Sequence, residues 1–216
     1  MGEGLVMTLP KLHRHMSLIV AEGKKFKFVP KPETKGLGDE GIIHFLGTDQ
    51  GKSTSYVNPA MPGPLAEVAV SYSAAKENTK PFLSLDNYGS VKSLALPGSD
   101  GMTWVEFDLS PRCVCPEHYS LKHYDREGYY IRTWVLEARG RDTDSWTIIS
   151  EHKDEKSMAT GPNCVMTWPI DRKYHRTPFT TFRVRLKEKN SQGTWHLGIS
   201  GFELYGSLYN SMADGL

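Results

Sequence analysis

With 216 residues the chain has room for one large domain, or for a domain of about 150 residues with an extension, and for a well-buried core. Hydrophobic residues make up 38% and charged residues 24%, and the formal net charge is +1. No global field therefore draws it to nucleic acid or to an anionic membrane, and any affinity must come from a local patch.

In chain order, residues 1–40 read as an extension and linker. Residues 17–21 and 26–29 can each form a short strand, and the stretch from Pro30 to Gly41 is rich in proline and glycine with little to bury. The near-apolar run over residues 16–21 is too short to span a bilayer, and His13, Arg14 and His15 ahead of it do not give the order of a signal peptide, so no export is expected. From Gly41 onward, strand-like runs recur over residues 42–46, 67–72, 103–109, 117–124, 132–139, 145–149, 180–187, 194–200 and 201–206. Their apolar residues fall on alternate positions, which places them on one face of an extended strand. Thr181-Phe-Arg-Val-Arg-Leu-Lys187 predicts Phe182, Val184 and Leu186 inside and Arg183, Arg185 and Lys187 in water. No helical period persists long enough for an α/β fold, so the expectation is all-β: a double-sheet antiparallel sandwich over residues 41–206 with a tail at 207–216.

Cys113, Cys115 and Cys164 are odd in number and two of them are only two residues apart, a poor arrangement for a bridge. No asparagine stands in an Asn-x-Ser/Thr sequon. Both features point to a reducing, cytoplasmic setting. Cys113, Cys115 and His118 lack a second ligand pair, so no metal is expected. Gly36-Leu-Gly-Asp-Glu-Gly41 has the spacing of a dinucleotide loop but not the strand before it and helix after it, and no cofactor is expected. No nucleophile, base and orienting group can be named together; Asp86, Asp125 and Glu127 read as surface or turn carboxylates, and the chain reads as non-enzymatic. Trp104, Trp134 and Trp146 are expected to anchor the core, with Trp195 at the rim.

Gly41-Ile-Ile-His-Phe-Leu-Gly-Thr48, Tyr56-Val-Asn-Pro59, Trp104-Val-Glu-Phe-Asp-Leu109, Tyr119-Ser-Leu-Lys-His123, Ile131-Arg-Thr-Trp134, Ser145-Trp146, Thr167-Trp-Pro169 and Ser200-Gly-Phe-Glu-Leu-Tyr-Gly206 follow one another along the chain. In this order they resemble the galactose-binding-like (discoidin or coagulation-factor type C-like) jelly-roll domains, closest to the SUN-like subgroup of HECT-type ubiquitin ligases and BTB-containing proteins. The resemblance implies a jelly-roll β-sandwich with its ligand site in loops at one end. The candidate loops are residues 47–58, 85–101 and 124–131. Within them Arg126, Tyr129 and Tyr130 are the expected anchors, His123 and Arg132 support them from the strand ends, and Thr48, Tyr56 and Asn58 contribute from an opposing loop. The expected function is recognition of a protein or peptide partner, in a ubiquitin-ligase-related context. The alternative is a carbohydrate or lipid-headgroup binder, for which the sequence supplies neither a Cys pair nor evident aromatic spikes.

Overall fold

Alternation of buried and exposed residues in β5 (Trp104–Asp108) shows how the sequence builds the sheets: Val105 and Phe107 are fully buried, while Trp104, Glu106 and Asp108 face outward. The computed structural model describes residues 19–21, 25–31, 37, 40–74, 94–141 and 143–210. The other elements are β1 (Ile19–Ala21), β2 (Lys25–Phe28), α1 (Ile42–Gly47), β3 (Ala69–Tyr72), β4 (Leu94–Ala95), β6 (Cys113–His123), β7 (Trp134–Arg139), β8 (Thr147–His152), β9 (Val165–Pro169), β10 (Thr181–Leu186) and β11 (Leu197–Tyr209), with 3-10 turns at Ser157–Thr160 and Arg172–Tyr174. One sheet runs β1-β2-β11-β6-β9, with β4 pairing the start of β11. The other runs β3-β5-β10-β7-β8. Every described pairing is antiparallel, and the fold is an antiparallel jelly-roll sandwich.

The core lies between the sheets. Phe107 of β5 and Phe202 of β11 stack across it with centroids 4.1 Å apart, and Phe182, Val184, Leu136, Leu121 and Leu204 close around them, all buried. At the β8/β9 side a second cluster fills the opening. His152 lies flat on Trp134 at 4.2 Å, Trp168 meets both edge-on, and the Tyr119 hydroxyl accepts the Trp134 indole N–H at 3.1 Å while standing 2.7 Å from His152 Nε2.

Several sequence expectations change. Residues 42–46 form a helix, not a strand, because the carboxyl group of Glu203 on β11 accepts the backbone N–H groups of Ile43 (2.7 Å) and His44 (3.0 Å) at its first turn. Ile42, Ile43, Phe45 and Leu46 then pack inward at helical spacing. A Cβ at Gly41 would fall inside the Glu203 side chain, so only glycine admits this contact. The expected strands at 194–200 and 201–206 are one continuous strand, β11, with an irregularity between Ile199 and Gly201. β9 is a further strand, around the motif Thr167-Trp-Pro169.

The extension supplies β1 and β2, and β2 pairs with β11 from Phe28↔Gly206 to Tyr209↔Lys25, so residues 207–209 are sheet and not tail. Residues 1–18, 85–93 and 211–216 lie outside the described residues.

The row Arg183, Arg185 is no free basic face. Both arginines bond Glu137 on the neighbouring strand β7, Arg183 at 2.7 Å, and the Arg183 guanidinium lies 4.0 Å from the Trp146 ring centre. Burial pushes the Glu137 carboxyl up, but Arg185 and Arg183 together outweigh it and hold it below the usual range. Trp134 is a core anchor as expected, whereas Trp104 and Trp146 are half-buried on the outer face over Arg183.

Candidate functional site

The strand registers decide which loops share an end of the sandwich. β6 ends at His123 opposite Ile199, β10 ends at Leu186 opposite Trp134, and β5 begins at Trp104 opposite Arg185. Residues 96–103, 124–133 and 187–196 therefore gather at one end. At the other end Asp108 pairs with Thr181 and Ala69, and Cys113 with Tyr209.

At the first end, β6 continues as the loop 124–131. His123 is fully buried, and its Nε2 is 3.0 Å from the Arg126 carbonyl, which can only accept, so Nε2 carries the proton. Its ring meets Tyr124 edge-on at 4.9 Å and Tyr130 at 4.5 Å. Burial holds its pKa below the ordinary histidine value, against the raising effect of nearby carbonyls at Arg126, Gly128 and Gly198. Tyr129 takes a left-handed backbone, φ 55°, after Gly128 at φ 82°. That costs a bulky residue roughly 1–3 kcal/mol and is the kind of strain that concentrates where a side chain must be presented. The strain aims Tyr129 at His196, on which it stacks at 5.9 Å, and edge-on at Tyr124. Gly198 makes room: a Cβ there would meet the Tyr124 ring at 3.0 Å and Tyr129 at 3.5 Å.

The facing loop, 187–196, is held by buried Asn190. Its side chain accepts the N–H groups of Gln192 and Thr194 and donates to Thr194 Oγ1 and to the His196 carbonyl, all within 2.8–3.2 Å. Ser191 joins the two loops: its hydroxyl accepts the Tyr130 N–H at 3.0 Å, and its own N–H donates to the Tyr130 carbonyl at 3.0 Å. Tyr129 and Tyr130 are half-buried and Arg126 and Arg132 exposed, so aromatic faces and exposed guanidinium groups stand on a tied frame. Arg132 sits at the loop exit, where its carbonyl accepts the Glu155 N–H.

The structure does not bring Thr48, Tyr56 and Asn58 to this face. Thr48 is buried, and its hydroxyl donates to the carbonyls of His44 (3.0 Å) and Phe45 (3.1 Å), closing α1. Tyr56 stacks on His44 at 5.5 Å, and the Asn58 side chain accepts the Ala60 N–H. Pro59 next in chain accepts from Glu67 and Val68 just before β3, whose first residue pairs with Asp108 at the far end. His196, Asn190 and Ser191 belong to the face and escape a sequence reading, because their contacts with 124–131 are tertiary.

Ser150 Oγ, His152 Nε2 and Glu155 line up like a nucleophile relay, at 3.1 Å and, from Nδ1 to the carboxylate, 3.8 Å. The Tyr119 hydroxyl already occupies that Nε2 at 2.7 Å and the ring is stacked on Trp134, so the group serves packing. Cys113, Cys115 and Cys164 are free thiols; burial raises all three pKa values, Cys115 to about 11. Among the described residues no three His, Cys, Asp or Glu side chains are placed to hold a metal ion, and no helix is long and apolar enough to cross a membrane.

No family model matches the chain. Among curated proteins it is similar to the E3 ubiquitin-protein ligase Ufd4 of Drosophila melanogaster, 30% identical over 188 residues, which is 82% of this chain and 6% of that protein. It is also similar to the E3 ubiquitin-protein ligase hecd-1 of Caenorhabditis elegans, 25% identical over 211 residues, 94% of this chain and 8% of that protein. The chain thus spans less than a tenth of the length of these relatives. Solved structures with a related outline include a module of Clostridium perfringens NanJ in complex with galactose (13% identity, TM-score 0.44, 65% of this chain and 94% of that one). Another is an F5/8 type C domain from Bacteroides fragilis (16%, TM-score 0.46, 65% and 92%). The chain is an antiparallel jelly-roll sandwich, similar at low identity to one segment of two much longer E3 ubiquitin ligases.

Proposed function

We propose that the chain is a non-catalytic binding module whose recognition face is the end formed by residues 124–132 and 187–196, and that its ligand class is carbohydrate. The observation that carries this reading is the half-buried pair Tyr129 and Tyr130, backed by His123 and His196 and flanked by exposed Arg126. A sugar ring offers an apolar face and a rim of hydroxyls, and tyrosine faces beside guanidinium and amide groups match both. A peptide-binding groove would instead offer apolar pockets for anchoring side chains. Of the exposed large hydrophobic residues described, only Met102 belongs to this end. The preference first expected from the sequence, a peptide partner, therefore becomes the second reading, and what favours it is the similarity to segments of two E3 ubiquitin-protein ligases. A reducing intracellular setting is part of the proposal, supported by the three free thiols.

A glycan array probed at pH 7.5 with wild type and with the triple variant Arg126→Ala, Tyr129→Ala, Tyr130→Ala tests the reading. Wild type should retain a defined set of glycans that the variant loses, the variant remaining folded by circular dichroism although the loss of two half-buried, stacked rings lowers its melting temperature. Equal binding by the folded variant, or no glycan retained beside a protein partner recovered by wild type alone, rejects the carbohydrate reading.

A further inference from the structure

His123 sits directly beneath the proposed recognition face, is completely buried, and is only half satisfied. Nε2–H donates to the Arg126 carbonyl at 3.0 Å, while buried Nδ1 has no hydrogen-bond partner among the described residues. A buried polar atom without a partner is costly, and a second proton would place a cation in a desolvated site where, among the described residues, backbone carbonyls at Arg126, Gly128 and Gly198 but no carboxylate offset the cost of burial. The ring is also a packing piece, since Tyr130 and Tyr124 rest on it and Tyr129 rests on Tyr124. We propose that His123 is a proton-operated pin: neutral, it holds the 124–131 loop against β11 with Tyr129 and Tyr130 presented, and on protonation it releases the loop, so that ligand capture fails in mildly acidic conditions.

The surroundings set the direction. On β6 and its loop the charged and titratable neighbours are Lys122, Tyr124, Asp125, Arg126, Glu127, Tyr129 and Tyr130. From the start of β11 come the Gly198 backbone and His196 behind Tyr129. From the segment before β9 comes Cys164, whose carbonyl accepts the His123 N–H at 2.8 Å, and the Ser200 hydroxyl donates to the His123 carbonyl. The backbone of His123 is thus fixed on both sides, and what proton uptake can disturb is the ring and the loop that hangs from it. Burial depresses the ring's pKa, so the closed loop favours the neutral form; its stability is full above about pH 6.5, the ordinary histidine value, and is lost as pH falls below it.

The pin rests on the reading of this end as the recognition face, yet its test needs no ligand. Backbone and histidine-ring NMR of wild type is followed from pH 8 to 5, with amide exchange at Gly128, Tyr129 and Tyr130 corrected for intrinsic rates. The His123 ring and these amides should titrate with one midpoint below pH 6.5, and exchange should quicken by up to about tenfold per pH unit as pH falls from about 6.5 toward that midpoint, the limit for one coupled proton, and level off beneath it. His123→Gln keeps a donor for the Arg126 carbonyl without a titration, so its loop amides should stay flat. Loop amides that ignore the ring's titration in wild type overturn the proposal, as does a loop titration that persists in His123→Gln. The wild-type comparison stands even where the variant does not fold. A negative glycan array beside a positive titration rejects the ligand reading and leaves the pin.

Discussion

Glu203→Gln probes the junction of helix and sheet. Oε1 of Glu203 accepts the N–H of Ile43 at 2.7 Å and of Leu204 at 2.8 Å, and Oε2 accepts the N–H of His44 at 3.0 Å. Glutamine can keep the first pair on its carbonyl oxygen, but its amide nitrogen then faces the His44 N–H, donor against donor, at a cost of about 1–3 kcal/mol. The charge acts in the opposite sense. Complete burial, with Glu40 nearby and in spite of the three N–H donors, pushes the Glu203 carboxyl up to about 8. The folded chain therefore holds this proton more tightly than the unfolded chain, whose carboxyl titrates near 4.5. That contribution is fully present below pH 4.5 and is lost as pH rises through about 8, at no more than about 1.4 kcal/mol per pH unit. Urea unfolding followed by tryptophan fluorescence at pH 5, 6, 7 and 8 separates the two effects. The variant should be less stable by about 1–3 kcal/mol at pH 5, and the gap should narrow steadily and close or reverse by pH 8. The histidine titrations are common to both proteins and cancel in the difference. Parallel stability curves, or a variant as stable as wild type at pH 5, would refute the reasoning.

Phe182→Ala or Leu204→Ala, each removing a fully buried side chain between the sheets, should cost roughly 2–5 kcal/mol in the same denaturant assay. The three thiols should react slowly with a disulfide reagent at pH 7 and all at once on unfolding, because burial raises their pKa values and thiolate is the reactive form. Rapid labelling of Cys115 in the native protein would contradict its burial.

Strands were legible wherever a sheet face alternates, as in β5 and β10, since period two is written directly into Val105, Phe107, Phe182 and Val184. Residues 42–46 were not. Their branched and aromatic side chains favour a strand locally, and what overrides that preference is a carboxyl group 160 residues away. The sequence pattern divides β11 at Ser200-Gly201, where Gly201 leaves room for the close approach of Leu37 to the strand. At the candidate site, Arg126, Tyr129 and Tyr130 were visible as one dense run. Loop order alone groups Thr48, Tyr56 and Asn58 with it, whereas the register of β3 with β5 ties the end of their loop to the opposite end.

β11 pairs with β2, β4 and β6, and α1 is anchored on its Glu203. On the ribosome, the first sheet must therefore wait. Until Tyr209 has emerged, β6 lacks its central neighbour, and Phe26, Phe28 and Phe45, which cluster at centroid distances of 4.9 and 5.1 Å, have no strand to close over. The β5-β10-β7-β8 part of the second sheet is complete once Leu186 is made and can form ahead of it. Such long-range closure makes for slow folding with an aggregation-prone interval, during which a nascent chain with an open β6 edge is a natural client for chaperones.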